Sequence, residues 1–304
     1  MRIAITASTG LIGSALSERL RAADIEVVNL VRRQGANSPQ IHWDPTAADG
    51  GLGTKLNGMD AVIHLSGAPI AARRWSAARK QELRASRIGS TSAIVRAMLA
   101  CPSPPPVLLA ASAIGFYGQT GDRAVDETAP SGSGFLATLV RDWETAAQPA
   151  NAAGIRVVHL RSGIVLSSRG GMLQKLLPPF RLGLGARLST GTQYLSWITL
   201  SDHVRAVRML LDQPELNGPF NVTGPSPVTN ATLTKALGKV LRRPAGMVLP
   251  ATALRLALGE VSVELLGSNR VLPSRLQEAG FAFRHAEIES GLAAALNDKR
   301  GLED

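Results

Sequence analysis

Apolar residues fall into short continuous runs along the first half of the chain. Three of these runs are Arg2–Thr6, Ile25–Val31 and Pro106–Ser112, and such runs are typical of strands that are buried on both faces. Between the first two runs, apolar residues recur at helical spacing over Leu11–Ala23. A strand, a tight turn, a helix and a second strand in this order predict a right-handed βαβ unit.

The same alternation continues as far as Arg161. Further strands are predicted within Asp60–Gly67 and over Ile155–Arg161, and amphipathic helices over Trp75–Leu99 and Gly134–Ala152. Apolar strands separated by helices predict a parallel sheet that is covered on both faces. The fold class is therefore α/β, with a doubly wound parallel sheet of the Rossmann type.

The pattern changes after Arg161, which predicts how the domains are organised. Residues 166–195 are glycine-rich around a short apolar helix, and residues 229–304 are mostly helical segments separated by proline-containing turns. We predict a nucleotide-binding domain over 1–228, with 166–195 contributing to a substrate cleft, and a small, mostly helical C-terminal domain over 229–304. An anionic substrate with an apolar portion would suit four basic residues of the cleft segment, Arg169, Lys175, Arg181 and Arg187.

The turn Thr6–Gly13 joins the first predicted strand to the first helix. Backbone N–H groups in such a turn, together with the N-terminus of the helix, favour a bound pyrophosphate. Gly10 allows a phosphate to approach the backbone, and Gly13 allows the helix to pack closely on the strand. Because the turn lies between a strand and an amphipathic helix, it predicts a dinucleotide site.

The end of the second strand indicates which dinucleotide is bound. An acidic residue there would accept hydrogen bonds from the adenosine ribose, whereas this chain has Arg32 and Arg33 and no nearby carboxylate. Since the guanidinium fork matches the geometry of phosphate, NADP(H) is favoured over NAD(H). The alternative is that both arginines are simply exposed in a loop.

Composition and charge limit the other functions. The chain has 304 residues, a formal net charge of +10 and one cysteine, Cys101, which excludes an internal disulfide and a thiolate metal site, so no metal is predicted. Basic residues are spread along the chain and aromatic residues make up only 4%, so nucleic acid is an unlikely partner. The densest basic cluster, Ala72–Arg87, is either a solvated helix face or an anion site.

The N-terminus enters a strand at once and no apolar run is long enough to cross a bilayer. We therefore expect a cytoplasmic protein without a membrane partner, whose partner is a small-molecule substrate.

Several longer stretches carry a resemblance to a known family. They are ITASTGLIG, SAIGFYG, SWITLSDHVRAV, RWSAARKQELRASRIGST, GFLATLVRDWE and VLPSRLQEAGFAF. The chain resembles the extended short-chain dehydrogenase/reductases of the NAD-dependent epimerase/dehydratase superfamily. Within them it is similar to the YfcH-like epimerase-family proteins, which have a small C-terminal domain of unknown function. The resemblance covers nearly the whole chain.

This resemblance implies a set of cofactor contacts. The pyrophosphate would lie on Thr9, Gly10, Leu11 and Ile12, in a loop where Ala7 replaces the first glycine of the family pattern; alanine is tolerated there if its φ stays negative. The 2′-phosphate would lie on Arg32, beside Arg33. The other predicted cofactor-binding residues are Leu65, Ser66, Gly67 and Arg87.

The resemblance also implies a catalytic arrangement that this chain only partly contains. In the superfamily a tyrosine moves a proton, a lysine lowers the pKa of that tyrosine, and a serine orients the carbonyl. The helix Gly134–Ala152 has neither tyrosine nor lysine: one alignment puts Phe135 and Leu139 at the two positions, another Leu136 and Val140. Ser112 and Tyr117 therefore become the predicted catalytic residues.

Two functions stay open from the sequence. One is an NADP(H)-dependent oxidoreductase or epimerase that acts on a small carbonyl or sugar-like substrate. The other is a non-catalytic NADP(H)-binding regulatory or redox-sensing protein, in keeping with a cell-division-inhibitor-like label used in the family. His64 is expected to be a packed core histidine, and Asp202 either a substrate-side residue or, with Ser201, the N-cap of the following helix.

Overall fold

The computed structural model of the protein describes residues 1–33 and 39–298. Its strands are β1 (Arg2–Thr6), β2 (Glu26–Val31), β3 (Gln40–His42), β4 (Ala61–His64), β5 (Val107–Ala113), β6 (Arg156–Ser162), β7 (Ile164–Leu166), β8 (Ala186–Leu188), β9 (Tyr194–Leu195), β10 (Trp197–Thr199), β11 (Gly218–Val222), β12 (Val228–Thr229) and β13 (Met247–Leu249). Its helices are α1 (Leu11–Arg21), α2 (Ala77–Arg84), α3 (Ser90–Leu99), α4 (Phe135–Thr145), α5 (Gln148–Ala152), α6 (Gly171–Arg181), α7 (Leu200–Asp212), α8 (Asn230–Leu241), α9 (Ala251–Leu258), α10 (Ser262–Leu266), α11 (Ser274–Glu278) and α12 (Ile288–Asn297).

Seven strands form one parallel sheet in the order β11-β6-β5-β4-β1-β2-β3. The strand order reverses between β1 and β4, so a crevice opens outside the carboxyl ends of these strands. The doubly wound α/β architecture predicted from the apolar pattern is confirmed. The register places Ser112 of β5 directly beside Arg161 of β6, a pairing on which the site depends.

Apolar clusters hold helices on both faces of this sheet. On one face, α1 and α7 pack through residues such as Leu16, Leu20 and Val207, all fully buried. On the other face, α3 and α5 contribute Ile94 and Ala150. Burial on both faces explains why the strands are apolar at nearly every position.

A third cluster joins the C-terminal region to β10. Trp197 is fully buried against α12, where a Cβ added at Gly291 would lie only 2.4 Å from the Trp197 ring. Glycine is therefore required at this crossing, because any side chain would occupy the space of the indole.

Two predicted helices are interrupted. The helix predicted over Trp75–Leu99 consists of α2, a π-helical turn over Ala85–Gly89, and α3; π-helical turns frequently occur at functional sites. The helix predicted over Gly134–Ala152 ends at Thr145 and restarts as α5, which has Pro149 in its first turn. Proline is favoured there because the first helical N–H groups have no partner within the helix.

The turn between β1 and α1 differs from the expectation in one residue. Ala7 has a φ of 53°, so the negative φ under which an alanine would be tolerated there is not observed. The turn closes through a hydrogen bond from the Gly10 N–H to the Ala7 carbonyl, 2.9 Å long, and Ala7 lies in the left-handed region, where an alanine is strained by roughly 1–2 kcal/mol. The role predicted for Gly13 fits its position, because a Cβ there would lie 2.3 Å from the Ala7 carbonyl oxygen.

We predict that Gly13→Ala lowers the free energy of unfolding by about 1–3 kcal/mol, since the added methyl group meets backbone atoms that cannot move aside. Chemical denaturation measures this change. Gly246→Ala is the matched control, because a Cβ there meets no atom within 4 Å, and it should alter stability by no more than about 0.5 kcal/mol. Equal stability of the two variants would contradict the packing described for this turn.

Candidate functional site

The loops that follow β1 and β4 are joined at the crevice. The Thr6 hydroxyl accepts a hydrogen bond from the Leu65 N–H (2.9 Å) and lies 3.1 Å from Nδ1 of His64. This linkage brings two groups of predicted cofactor residues side by side, those of the glycine turn and those of the β4 loop. Thr9, Gly10 and Gly67 are exposed, and Leu11, Ile12, Leu65 and Ser66 are half-buried, so none of them is fully enclosed by the protein.

Arg32 and Arg33 lie at the carboxyl end of the crevice-forming strand β2, and both side chains are exposed. Residues 34–38, which follow them, lie outside the described part of the chain. The position fits a contact with a phosphate on the adenosine ribose.

Arg87 lies in the π-helical turn and is only 8% exposed. Its guanidinium lies 5.1 Å from the centre of the Trp143 ring and 3.2 Å from the position that a Cβ of Gly67 would occupy. Among the described residues its hydrogen bonds are limited to two contacts of 3.5 Å, both from one terminal nitrogen, to the Leu83 carbonyl and the Ser86 hydroxyl. The other nitrogens remain free to bind an anion or a hydroxyl.

Burial lowers the pKa of Arg87 to about 10, with the charge of Arg79 as a smaller cause. The guanidinium is therefore still charged at neutral pH. A buried cation without a carboxylate partner is costly unless a ligand completes its hydrogen bonds.

The other basic residues of the cluster bind within the protein, four of them to carboxylates and Arg74 to the backbone carbonyls of Leu256 and Ala257. Arg73 and Arg79 both pair with Glu82, Lys80 with Glu260 at 2.5 Å, and Arg84 with Asp142 at 2.7 Å. The cluster is thus neither a plain solvated face nor a continuous anion site, and Arg87 is its member that faces a cavity.

This cavity has a volume of about 290 Å³ and lies beside the carboxyl end of β5. Its largely apolar wall comes from α4, through Leu136, Leu139, Val140 and Trp143. Both alignments of the missing tyrosine and lysine therefore place apolar residues at the two positions, and all of them except Phe135 line the cavity. The polar groups around it come from other elements: Arg87, Ser112, Tyr194, Ser196, Glu264 and Asn269.

The four basic residues of the predicted cleft segment do not line this cavity. Arg169, Lys175 and Arg181 are exposed and Arg187 is half-buried, and the segment reaches the cavity through Tyr194 and Leu195 instead. These four residues therefore do not support the prediction that the cavity takes an anionic substrate.

The hydroxyl proton of Ser112 is used in a hydrogen bond to a buried carboxylate. Its hydroxyl donates to Oε1 of Glu144 at 2.6 Å, and Arg161 binds both oxygens of Glu144 through Nε and a terminal nitrogen, each at 2.8 Å. Burial opposes ionisation of Glu144, yet the hydrogen bond and charge of Arg161 outweigh burial and hold the pKa of Glu144 below its ordinary value. Toward the cavity, Ser112 therefore presents its oxygen as an acceptor of hydrogen bonds.

Tyr117 belongs to the same network but not to the cavity. It is 4% exposed; its hydroxyl donates to Oδ1 of Asn221 at 2.8 Å and accepts from Arg161 at 2.9 Å. Burial raises its pKa, although Arg161 acts in the opposite direction. The catalytic role of Tyr117 stays a prediction, but its position supports a structural role, because both hydrogen-bonding capacities of the phenol are used inside the protein.

Sequence reasoning did not identify Glu144, Arg161 or Asn221 as members of the site. One signal was available for Arg161, since a charged residue within an otherwise apolar strand requires a partner. Glu144 stood in the quoted GFLATLVRDWE stretch, but nothing in the spacing connected it with β6.

Two further residues behave as structural elements. His64 is fully buried between Thr6 and Ser90, and burial lowers its pKa to about 3, which agrees with a packed core histidine. Asp202 does not cap α7, because Thr199 is the cap. The buried Asp202 carboxylate instead accepts the backbone N–H groups of Arg284 and His285 and so ties α7 to the C-terminal region.

Within residues 1–33 and 39–298, no group of three or more His, Cys, Asp or Glu side chains is placed to hold a metal ion. Over the same residues, no helix is both long and apolar enough to cross a membrane.

Comparison with known proteins gives the family. The model of the NAD dependent epimerase/dehydratase family matches residues 3–223, and that of a domain of unknown function, DUF1731, matches residues 249–295. The chain belongs to the NAD-dependent epimerase/dehydratase family. The predicted resemblance is thereby confirmed.

Similar proteins cover almost the entire chain. An epimerase family protein of Mycobacterium bovis is 50% identical over 294 residues, 96% of this chain and 97% of the relative. The chloroplastic SDR39U1 homolog of Arabidopsis thaliana is 35% identical over 97% of this chain and 87% of its own length. The crystal structure of human epimerase family protein SDR39U1 with NADPH has a TM-score of 0.91 and 30% identity, covering 98% of this chain and 100% of that one.

We predict that Tyr117→Phe lowers the free energy of unfolding by about 1–3 kcal/mol, because Asn221 and Arg161 each lose a buried hydrogen-bond partner. Denaturant titration measures the loss. A variant that unfolds like the wild type but turns over more slowly would restore the catalytic role predicted from the sequence.

Proposed function

We propose that this family member binds NADP(H) and uses it as an oxidoreductase or epimerase on a small carbonyl or sugar-like substrate. The observation that carries the proposal is the cavity of about 290 Å³ at the carboxyl end of β5, with the unpaired Arg87 guanidinium and the oriented Ser112 hydroxyl on its wall. A concave, mostly apolar site with a few convergent polar groups is what a small ligand requires.

The residues of the crevice fit the cofactor. The turn between β1 and α1 has room for backbone approach at Gly10, and α1 begins directly after it with its free N–H groups toward the crevice. Arg32 and Arg33 supply cations for a 2′-phosphate, and Arg87 supplies hydrogen-bond donors toward the nicotinamide half. The NADPH named for the similar human protein supports the same choice.

Bound NADPH would supply a hydride. The chain's own residues would hold the reacting groups: the leucines and valine of α4 exclude water, and Ser112 accepts a hydrogen bond from the ligand. Ser112 is fixed for this purpose by Glu144, which Arg161 holds in turn. A cytoplasmic location and a small-molecule partner stay predictions.

A second candidate is a regulatory or redox-sensing protein that binds NADP(H) without turnover. The observation that favours it is the cavity wall of α4, where Leu136, Leu139 and Val140 offer no proton donor. Stoichiometric NADPH binding without hydride transfer, across a panel of aldehydes, ketones and nucleotide sugars, would support this second function over the first.

We predict that Arg32→Glu weakens NADPH roughly 10- to 100-fold while the affinity for NADH changes little, because a charged hydrogen bond to the 2′-phosphate is lost and a repelling charge is added. Isothermal titration calorimetry measures both constants. Arg243→Glu, at an exposed arginine of the C-terminal region, has the same change in net charge and should leave both affinities intact. Equal weakening of NADPH and NADH by Arg32→Glu would refute the assignment.

We predict that Arg87→Met and Arg32→Glu affect the binding of different halves of the cofactor. It should weaken NADPH but not adenosine 2′,5′-bisphosphate, which lacks the nicotinamide half, whereas Arg32→Glu should weaken both ligands. If Arg87→Met leaves NADPH binding unchanged, Arg87 is not a cofactor residue.

A further inference from the structure

The cavity lacks the proton donor expected on α4, so a proton for the reaction has to come from another side chain of its wall. The reaction requires one, because adding a hydride to a carbonyl carbon leaves a negative oxygen that must be protonated. Tyr117 is directed to Asn221 and does not line the cavity.

Most polar groups on the wall already use their protons. Ser112 donates to Glu144, the Ser196 hydroxyl donates to the Asn269 carbonyl at 2.9 Å, and the Trp143 indole donates to Thr91 at 2.9 Å. Arg87, whose pKa burial lowers to about 10, keeps its proton at neutral pH. Among the described residues of the wall, Tyr194 and Glu264 remain.

Glu264 has a carboxyl group, which can donate and accept a proton. It lies on α10, is half-buried, and makes no hydrogen bond or ion pair with any described residue. Burial raises the pKa of its carboxyl group, which moves it toward neutral pH, where a group can both give and take a proton. Because the side chain is only half-buried, solvent can replace the proton after each turnover.

We propose that Glu264 is the catalytic acid of this cavity, protonating the carbonyl oxygen of an aldehyde or ketone substrate. The assignment rests on the proposed function. The C=O π bond breaks, a C–H bond forms with the hydride of NADPH, which is oxidised to NADP⁺, and an O–H bond forms with the proton of Glu264. The carboxylate that remains recovers a proton from water, and in the oxidative direction it accepts one.

Other titratable and charged groups near Glu264 also influence the pH dependence. They are Arg87 and Tyr194 on the wall of the same cavity, Arg270 with its guanidinium 4.7 Å from the centre of the Tyr194 ring, Arg74 at the end of α9, and the Lys80–Glu260 ion pair. Tyr194 is the competing proton donor, so Tyr194→Phe is tested in parallel.

The experiment compares Glu264→Gln with the wild type, with Tyr194→Phe, and with Glu278→Gln at an exposed glutamate of α11. The rate of NADPH oxidation with 4-nitrobenzaldehyde is followed from acid to alkaline pH, and the NADPH dissociation constant is measured for each protein. We expect the wild-type rate to fall as pH rises through the pKa of Glu264, since reduction needs the protonated acid. Glu264→Gln should lose this pH dependence and on the order of 10²–10⁴-fold in kcat, with unchanged NADPH affinity.

A second measurement does not depend on turnover. Carbon NMR of protein labelled at the glutamate carboxyl carbons should show one resonance that is absent in Glu264→Gln and titrates at higher pH than the resonance absent in Glu278→Gln. If the two titrate together, the assignment is overturned.

The remaining outcomes separate the two proposals. Loss of the pH dependence in Tyr194→Phe but not in Glu264→Gln would overturn the assignment to Glu264 and leave the proposed function intact. Loss of NADPH affinity in Glu264→Gln would make Glu264 a binding residue instead. A wild-type protein that binds NADPH but turns over no aldehyde, ketone or nucleotide sugar would refute the proposed function, and the role of Glu264 with it.

Discussion

A single buried ion pair, Arg161 with Glu144, organises the site. Its two hydrogen bonds of 2.8 Å join β6 to α4, while Ser112 of β5 and Tyr117 after β5 attach to either side of it. Through Tyr117 the network reaches Asn221 of β11, which donates to the Leu272 carbonyl in the C-terminal region. Removing one partner of such a pair would leave a buried charge uncompensated, which costs about 3–5 kcal/mol. The orientation of Ser112 is thus tied to the stability of the sheet.

The apolar, cationic and acidic side chains of the cavity wall come from different elements of the fold. α4 supplies an apolar wall, the cation comes from the π-helical turn at Arg87, and the free carboxyl group comes from α10 at Glu264. Arg87 and Glu264 come from segments that lie far apart in the sequence. The C-terminal region therefore contributes part of the cavity wall as well as packing through Trp197 and Asp202.

The sequence predicted the sheet well because its strands are buried on both faces and read as uninterrupted apolar runs. It missed β3, whose three residues leave too short a pattern, and it joined α4 to α5 because the break at residues 146–147 carries ordinary helix-forming alanines. The left-handed φ of Ala7 was also not predicted, since an alanine ordinarily favours a negative φ. For the site, the positions at strand ends were predictable from topology, but the partners of Ser112 and Tyr117 were not. Those partners depend on the register of β5 with β6 and on the face that α4 presents.

In the proposed function, the nicotinamide and the substrate meet in the cavity beside β5. A crystal structure of the protein with NADPH tests this claim most directly. We expect the reactive face of the nicotinamide to lie in the cavity between Ser112 and Glu264, with Arg87 bound to the nicotinamide half of the cofactor. A nicotinamide ring outside the cavity, or Arg87 still without a ligand partner, would contradict the account.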